Sequence, residues 1–364
     1  MALTTALIGL PLVGKTTIFN ILTDSEIETS DFLSGKTETH VGMAKIPDKR
    51  VRFLSELYKP KKTTYAEIQF SDVPGLVRGS SQGKGVGNQF LNAIRNVDLL
   101  VHVVRVFENS NVTHVDDSIN PMRDIETINM ELLLADMDIV EKRINRIRGG
   151  KKVKKEDALE LEILQKLLEG LENEVPIHNL GLTDEEKNKL RNYSFLTEKP
   201  MIMVLNLDEE QYKSQTYSQK SELQAFAAEK NLPLIEICGK IEMEINQLSD
   251  EDKDIFLEDL GITESGIDRL AKAAYDYLNL MSFFTSGEDE VKAWTIEKGT
   301  NAKKAAGKIH SDIERGFIRA EVVKYEDMER LGSMVKIREN GLQRLEGKEY
   351  IVEDGDIINF RFNV

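Results

Sequence analysis

One segment near the start of the chain constrains its fold more than any other, the run Gly9-Leu-Pro-Leu-Val-Gly14-Lys15-Thr16. It matches the pattern G-x-x-x-x-G-K-[ST], and its surroundings are the ones this pattern needs. The preceding TALIGL is typical of a strand, and the segment from Thr16 to Leu22 is typical of a helix. Between such elements the loop N–H groups and a lysine surround a phosphate group. The sequence therefore predicts a phosphate-binding loop within a nucleotide-binding domain.

Each position of this loop has an expected task. Lys15 brings a positive charge to the β- and γ-phosphate oxygens, where it also serves catalysis, and the Thr16 hydroxyl is a ligand for Mg²⁺. The loop and first-turn residues that we expect at the nucleotide are Gly9, Leu12, Val13, Gly14, Lys15, Thr16 and Thr17.

The rest of the first 280 residues alternates strand-like and helix-like segments. DLLVHVVRVF (98–107) is a nearly continuous apolar run, as in a strand covered on both faces. Alternating strands and helices predict an α/β fold with a doubly wound, mostly parallel sheet. The other predicted strands are VGMAKI (41–46), YAEIQF (65–70), PMIMVLNL (200–207) and LPLIEI (232–237).

A second motif, Asp72-Val-Pro-Gly75, follows the strand YAEIQFS. Asp72 is placed to hold Mg²⁺ through a water, and Gly75 can donate its N–H to the γ-phosphate and act as a hinge. Residue 76 is Leu, at the place where Ras-type enzymes have the Gln that orients the attacking water, so we expect slow intrinsic hydrolysis. The nearby candidate for that catalytic task is His114, whose alternative interpretation is a solvated loop histidine.

A third motif, Asn206-Leu-Asp-Glu209, ends the strand PMIMVLN, where GTP-binding proteins usually have Asn-Lys-x-Asp. The Asp of that motif accepts from guanine N1–H and the 2-amino group, whereas the longer Glu209 sits too close for the same contact. Lost hydrogen bonds therefore disfavour guanine, and we expect ATP to bind more tightly than GTP. The run Cys238-Gly239-Lys240, after the strand LPLIEI, is placed near the base edge.

Residues 128–175 interrupt the α/β alternation with two stretches whose apolar residues recur every three or four positions. Two such stretches joined by a short link predict an antiparallel helical hairpin that projects as a coiled-coil arm. Two ordinary amphipathic helices packed on the core are the alternative. The link region holds six cations and no acid, which suits contact with a phosphate backbone: Arg146, Arg148, Lys151, Lys152, Lys154 and Lys155.

Composition limits the remaining classes of function. The net charge of −15 argues against broad binding to nucleic acid, so a basic arm tip would act locally. A single cysteine, Cys238, fits a reducing compartment, and the absence of a long apolar run argues against a membrane span. We expect a cytoplasmic protein.

From about residue 282 the pattern changes to a small α+β domain, with a hairpin predicted at the turn Glu353–Asp356.

Together these segments resemble the YchF/Obg-like ATPase family. The resemblance rests on GLPLVGKTT, DVPGLVRGSSQGKGVGNQFL, the Asn-x-x-Glu motif and the tail GKEYIVEDGDIINFRFNV, and it covers essentially the whole chain. It implies preference for ATP over GTP, slow hydrolysis with Mg²⁺, a helical arm, and association with ribosomes. The carboxyl-terminal region is similar to a TGS domain, a β-grasp module. The apolar Leu76 also matches the family.

The chain departs from the family at two places. The phosphate loop of the family usually has Asn at the position of Leu12, where it helps to bind an activating K⁺ ion, so potassium activation is an open question here. The first switch segment reads GKTETHVG instead of a stretch like CTIDPNVG. We take Thr37 as the second threonine on the Mg²⁺ side, with Thr39 as the alternative.

The sequence thus predicts three parts: a nucleotide-binding domain (1–281), an arm inserted in it (128–197) and a TGS β-grasp domain (282–364). The switch loops would be residues 26–42 and 75–87. A guanine-specific Obg-type translational GTPase is one rival hypothesis, which Leu207 and Glu209 oppose. The other is a nucleotide-sensing scaffold that binds RNA or the ribosome and hydrolyses nucleotide incidentally, which Leu76 makes credible.

Overall fold

The structure is a computed structural model that describes residues 3–29, 38–76, 79, 86–150 and 155–363. Its strands are β1 (Thr4–Ile8), β2 (His40–Lys45), β3 (Lys62–Thr64), β4 (Glu67–Asp72), β5 (Leu99–Arg105), β6 (Met201–Asn206), β7 (Leu234–Ile237), β8 (Leu280–Ser286), β9 (Glu290–Glu297), β10 (Phe317–Lys324), β11 (Arg344–Glu346) and β12 (Asp356–Phe362). Its helices are α1 (Lys15–Thr23), α2 (Lys49–Tyr58), α3 (Val86–Arg95), α4 (Pro121–Arg148), α5 (Lys155–Glu172), α6 (Asp184–Leu190), α7 (Glu209–Ser214), α8 (Lys220–Glu229), α9 (Gly239–Asn246), α10 (Asp250–Asp259), α11 (Gly266–Tyr277), α12 (Ala302–Ile309), α13 (Ser311–Arg315), α14 (Tyr325–Leu331) and α15 (Met334–Glu339).

The chain divides by its internal contacts into two compact units. The first unit consists of residues 1–42 and 69–269, and the second of residues 43–68 and 270–364. The predicted division into a nucleotide-binding domain, an inserted arm and a carboxyl-terminal domain stays a prediction. None of the helices in the described ranges is long and apolar enough to cross a bilayer.

One six-stranded sheet has the strand order β2-β4-β1-β5-β6-β7. β1 pairs in parallel with β4 and β5, and the parallel pairing continues from β5 to β6 and β7. Every residue of β5 is buried, as its β-branched sequence predicts for a strand with both faces covered. The predicted α/β sheet is confirmed. Because parallel strands end at the same edge, the segments after β1, β4, β6 and β7 converge there.

Helix α4 begins at a cap that the sequence supplies in full. The side chain of Asn120 accepts a hydrogen bond from the N–H of Arg123 at 3.2 Å, and Pro121 occupies the first helical turn, where its missing N–H costs nothing. The helix then runs for 28 residues, longer than any other helix in the described ranges. Its first half lies against the first unit's core, where Ile125 and Ile128 are fully buried.

The second half of α4 packs against α5 through an apolar cluster. The buried members of this cluster are Leu133, Val140, Ile144, Ile147, Ile163, Leu164, Leu167, Leu171, Ile177, Leu190 and Phe195. The helical hairpin predicted from the spacing is therefore present. On α5, Ile163 and Leu167 are buried beside Leu164, whereas Ala158 is exposed. The stripe is wider than a two-position seam, and a coiled coil stays a prediction.

The second unit contains its own six-stranded sheet in the order β11-β10-β12-β8-β9-β3. β10 pairs antiparallel with β11 and β12, β8 pairs antiparallel with β9, and the short β3 joins the edge in parallel with β9. Alanines of α12 are buried against this sheet together with Phe283 and Ile358. Residues 62–64 thus belong to a sheet formed otherwise by the last 85 residues, which the sequence pattern does not predict.

The turn Glu353–Asp356 is not the predicted hairpin. β12 pairs with β10 and β8, whereas Ile351 makes only an isolated bridge to Asn301. The acids of the turn act as hydrogen-bond acceptors instead: Asp354 accepts from the N–H of Ser282 at 3.0 Å and from the guanidinium of Arg50 at 2.7 Å. Short-range turn chemistry therefore identified a turn but not the strands that it connects.

Candidate nucleotide-binding site

The predicted phosphate loop connects β1 to α1 and encloses the lysine ammonium. Lys15 Nζ donates to the carbonyl oxygens of Leu10 at 2.7 Å and of Gly9 at 3.3 Å, and the side chain is buried. Burial lowers the pKa of Lys15 to about 8, although the nearby Asp72 carboxylate opposes this shift. Such a poorly solvated cation gains more from an arriving phosphate than an exposed lysine would.

Two loop positions show why the motif needs its residues. Gly14 has φ 95°, and a Cβ there would lie 2.3 Å from Nδ2 of Asn206, so both the backbone conformation and the space require glycine. Leu12 has φ 61°, a left-handed conformation that Asn tolerates better than Leu. The departure from the family's Asn thus puts strain of about 1 kcal/mol into the loop. Leu12 also has no oxygen to offer a potassium ion.

The donor set for magnesium is brought together by β4 and α1. The Thr16 hydroxyl donates to Asp72 Oδ2 at 2.7 Å, and both side chains lie at the mouth of the loop. A hydroxyl and a carboxylate are oxygen ligands of the kind that Mg²⁺ prefers, so these residues fit the ion. The third predicted ligand, Thr37, lies outside the described residues.

The start of the second switch segment lies directly against the phosphate loop. A Cβ on Gly75 would come within 2.6 Å of the backbone nitrogen of Pro11, so only glycine fits. Leu76 donates its N–H to the carbonyl of Gly9 at 3.0 Å, and its side chain is 1% exposed. Its apolar side chain offers no group that orients a water molecule. Apart from residue 79, the segment 77–85 lies outside the described residues.

Asn206 connects the third motif, Asn206–Glu209, which we call the base motif, to the phosphate loop. Its Nδ2 donates to the carbonyl of Val13 at 3.0 Å, and its Oδ1 accepts from the N–H of Gly239 at 3.2 Å. The side chain is buried, so both contacts are protected from water. Thr17 lies nearby, because a Cβ on Gly239 would be 3.6 Å from its methyl group. The structure thus brings the predicted loop and base-motif residues to one edge of the sheet.

The other residues of the base motif have separate partners. Glu209 forms an ion pair with Lys240, which holds the pKa of the Glu209 carboxyl below its usual value. Asp208 caps α7 by accepting from the N–H of Gln211 at 2.9 Å, and it also accepts from Glu108 N–H at 3.3 Å. These contacts give Asp208 a structural task at the start of α7.

Leu207 and Cys238 face the core. Both side chains belong to an apolar cluster beneath α7 and α9, and burial raises the pKa of the Cys238 thiol. A contact of Cys238 with a nucleotide would therefore come from its backbone rather than from its sulfur. Leu207, at the position of the lysine in GTP-binding proteins, is 2% exposed and has no free length to cover a base.

The sequence did not single out Arg105, the last residue of β5. Its guanidinium is fully buried, lies over the Phe107 ring and donates to four carbonyl oxygens of the following loop, those of Phe107, Asn109, Val112 and Thr113. This loop touches the base motif, since the N–H groups of Val106 and Phe107 both donate to the Asn206 carbonyl. The sequence feature that could have indicated Arg105 is a charged residue at the end of an otherwise apolar strand.

His102, also in β5, is a second buried group that the motifs did not indicate. It pairs in register with Ile8, just before the phosphate loop. Burial, and then the charge of Lys15, lower the pKa of His102 to about 3. The imidazole is therefore neutral at physiological pH and adds no charge beneath the loop.

The interpretation of His114 as a solvated loop histidine is wrong. Its side chain is 5% exposed, its Nδ1 accepts from the N–H of Asp116 at 3.1 Å, and its Nε2 lies 2.9 Å from Asp124 Oδ2. These three side chains could surround a cation, but the guanidinium of Arg123 already lies at 2.9 Å from Asp124 and 3.5 Å from Asp116. Both ring nitrogens are engaged within this cluster, and a catalytic role of His114 stays a prediction.

Two contacts connect α4 with residues that follow Asp72 in the chain. Glu131, which is buried in α4, accepts from the N–H of Gly79 at 2.6 Å. Asp136, also in α4, lies 3.8 Å from the guanidinium of Arg95 at the end of α3. Asp136 further accepts from the N–H groups of Leu196 and Thr197, at 3.0 and 2.8 Å. Helix α4 is thus bound to Gly79 within the second switch segment and to Arg95 after it.

Comparison with known proteins gives consistent matches at both ends of the chain. A family model described as a 50S ribosome-binding GTPase matches residues 4–136, and the model of the YchF-GTPase carboxyl-terminal region, described as a protein of unknown function, matches residues 280–363. The chain is 48% identical over 366 residues to the ribosome-binding ATPase YchF of Bacillus subtilis, covering 100% of both chains. It is 43% identical over 359 residues to the protein of the same name from Escherichia coli O157:H7, covering 98% of both.

Solved structures agree on the fold. The Schizosaccharomyces pombe YchF GTPase matches with a TM-score of 0.85 and 31% sequence identity, over 99% of this chain and 98% of that one. A GTP-binding protein from Pyrococcus horikoshii matches with a TM-score of 0.58 at 18% identity, over 99% of this chain and 100% of that one, which supports the fold alone.

Proposed function

Because the chain belongs to the YchF family of P-loop NTPases, we propose that it is a ribosome-associated nucleotide switch that hydrolyses ATP slowly, in preference to GTP. The observation that carries the proposal is the base motif. Asn206 holds it against the phosphate loop, and Glu209 stands where a guanine-reading carboxylate would be one methylene shorter. The relatives from Bacillus subtilis and Escherichia coli are named ribosome-binding ATPases.

Hydrolysis would use electrostatics rather than a protein base. Lys15 and the loop N–H groups stabilise negative charge on the transferring phosphoryl group. Thr16 and Asp72 would hold Mg²⁺, which when bound neutralises charge on the β- and γ-oxygens. Because Leu76 cannot orient water, the chemical step is slow until a partner or another residue supplies that function.

The switch would act through the segment after Asp72. Gly75 lies against Pro11 of the phosphate loop, so binding or loss of the γ-phosphate would move the backbone at Gly75 first. Gly79, four residues later, is bound by Glu131 of α4, which gives the movement a route into the helical hairpin. The proposed readout is a change in affinity for the ribosome, reached through the basic residues at the end of the hairpin. Arg146 and Arg148, in the last turn of α4, are exposed as this requires.

A scaffold with incidental hydrolysis is a second candidate, which the buried Leu76 favours. Single-turnover hydrolysis of ATP, with and without purified ribosomes, separates the two. An enzyme whose cycle matters accelerates at least about tenfold on ribosomes, equivalent to about 1.4 kcal/mol in the barrier. An unchanged rate, with tight ribosome binding, would support the scaffold. Absence of ribosome binding in every nucleotide state would reject the proposed function itself.

A further inference from the structure

A charged side chain from the segment after β7, that of Lys240, lies beside the base motif. Lys240, the second residue of α9, forms an ion pair with Glu209, the first residue of α7. A second link lies beside it, the hydrogen bond from Gly239 N–H to Asn206 Oδ1. Two neighbouring contacts therefore join the segment after β6 to the segment after β7, at the edge where a base would lie.

The position of Lys240 is not explained by helix stability. A cation in the first turn of a helix opposes the helix dipole, whereas Glu209 in the first turn of α7 suits it. The side chain of Lys240 is 68% exposed and that of Glu209 is 36% exposed, and such exposed pairs contribute little to folding. The consequence of the pair is therefore local: it fixes the carboxylate and neutralises its charge.

The two purines make different demands on a carboxylate at this place. Guanine offers two adjacent donors, N1–H and the 2-amino group, and needs both oxygens of a carboxylate for a bidentate contact. Adenine offers no donor at these two positions, because its 6-amino group lies on the other side of N1. Its N1 is an acceptor, which a bare carboxylate repels. When Lys240 occupies Oε1 of Glu209, one oxygen is left to accept. A carboxylate paired with an ammonium repels adenine N1 less and lacks the second acceptor for guanine.

We propose that Lys240 is a specificity-determining residue, which disfavours guanine nucleotides by engaging the Glu209 carboxylate. This inference rests on the proposed preference for ATP and assigns part of it to a residue outside the motif Asn206–Glu209. Loss of the ammonium frees the second oxygen, so guanine gains an acceptor and adenine gains repulsion at N1. A ligand donor that is left without an acceptor in the site lowers the affinity strongly, so similar ligands are discriminated.

The test is a titration of the full chain with ATP and with GTP, Mg²⁺ present, for wild type and for Lys240→Met. We expect the ratio of the GTP and ATP dissociation constants to fall at least about threefold in the variant. Lys240→Arg, which keeps a cation for Glu209, should restore the wild-type ratio. The matched control is Lys213→Met, because Lys213 also acts on Glu209 through its charge but belongs to α7 itself. A general loss of attraction for triphosphates cancels in the ratio.

Two results would overturn the inference: an unchanged ratio in Lys240→Met, or an equal fall in Lys213→Met. In a Glu209→Gln background, Lys240→Met should leave the ratio unchanged, and a further fall there would also contradict a role through Glu209. Failure of the proposed function looks different, because it appears in the wild type as GTP binding more tightly than ATP.

Discussion

Asn206 joins two loops of the candidate site through one buried side chain. Removing it leaves the Val13 carbonyl and the Gly239 N–H without their partner, away from water. Each orphaned group costs about 1–3 kcal/mol, and the loops lose their mutual alignment.

We therefore predict that Asn206→Ala weakens binding of both ATP and GTP at least about tenfold, measured by calorimetry. The control is Asn96→Ala, at an exposed asparagine of the same unit. Equal affinities for Asn206→Ala and the wild type would show that the bridge does not shape the site.

Lys15 makes nucleotide binding depend on pH in a defined direction. Its pKa is about 8 in the structure, and phosphate oxygens around the ammonium raise that pKa. Below pH about 8 the lysine is charged with and without nucleotide, so its protonation leaves the affinity constant. Above that pH, binding must take up a proton, and the ATP affinity falls by up to about tenfold per pH unit.

Calorimetry at pH about 9, in buffers of different protonation enthalpy, should therefore detect proton uptake on ATP binding that is missing at pH about 7. The measurement at the lower pH is the internal control. A constant affinity across this range would contradict the lowered pKa.

At this scale the sequence predicted the motif residues because their spacing is fixed by phosphate geometry. It could not predict Arg105, since a lone cation follows no pattern until the fold gives it carbonyls. It placed Lys240 near the base edge but could not predict the ion pair of Lys240 with Glu209. It also misjudged His114, which lies in a polar stretch but is enclosed by Asp124 and the N–H of Asp116.

The stability of the α4–α5 hairpin depends on the apolar cluster between its two helices. Leu167 of α5 is fully buried in that cluster, whereas Leu159 of the same helix is 39% exposed. Truncating a buried leucine removes its packing and leaves a cavity.

We predict that Leu167→Ala lowers the free energy of unfolding by about 2–5 kcal/mol, measured by urea denaturation. Leu159→Ala, the matched control, should change it by less than about 0.5 kcal/mol. Faster amide hydrogen exchange in Leu167→Ala should concentrate in α4 and α5. Equal effects of the two substitutions would contradict the packing described for the hairpin.

Element types were predictable where the apolar period was long, as in β5 and α4, because burial on one or both faces dictates the pattern. Partners were not predictable where they lie far apart in sequence. The short strand β3 joins β9 although more than 220 residues separate them. Asp354, in the turn before β12, binds Arg50 instead of closing a hairpin.

For the whole molecule, the proposed contact with the ribosome places a basic tip on an acidic protein. We predict that changing Lys151, Lys152, Lys154 and Lys155 together to Glu lowers the amount of protein that co-sediments with ribosomes, because the proposed contact is electrostatic. Added salt should reduce ribosome binding of the wild type more than that of the variant.

The control variant carries the same number of Lys→Glu changes at exposed positions, Lys298, Lys303, Lys304 and Lys308. Unaltered co-sedimentation of the tip variant would contradict ribosome binding through the basic tip.

The proposed preference of this P-loop protein for ATP can be measured by a single titration. The purified, nucleotide-free chain is titrated with ATP and with GTP by calorimetry, with Mg²⁺ present. We predict that ATP binds at least about tenfold more tightly than GTP, a difference of about 1.4 kcal/mol. If GTP binds more tightly by that margin, the interpretation of Asn206 and Glu209 is wrong, and the chain acts as a guanine-specific GTPase.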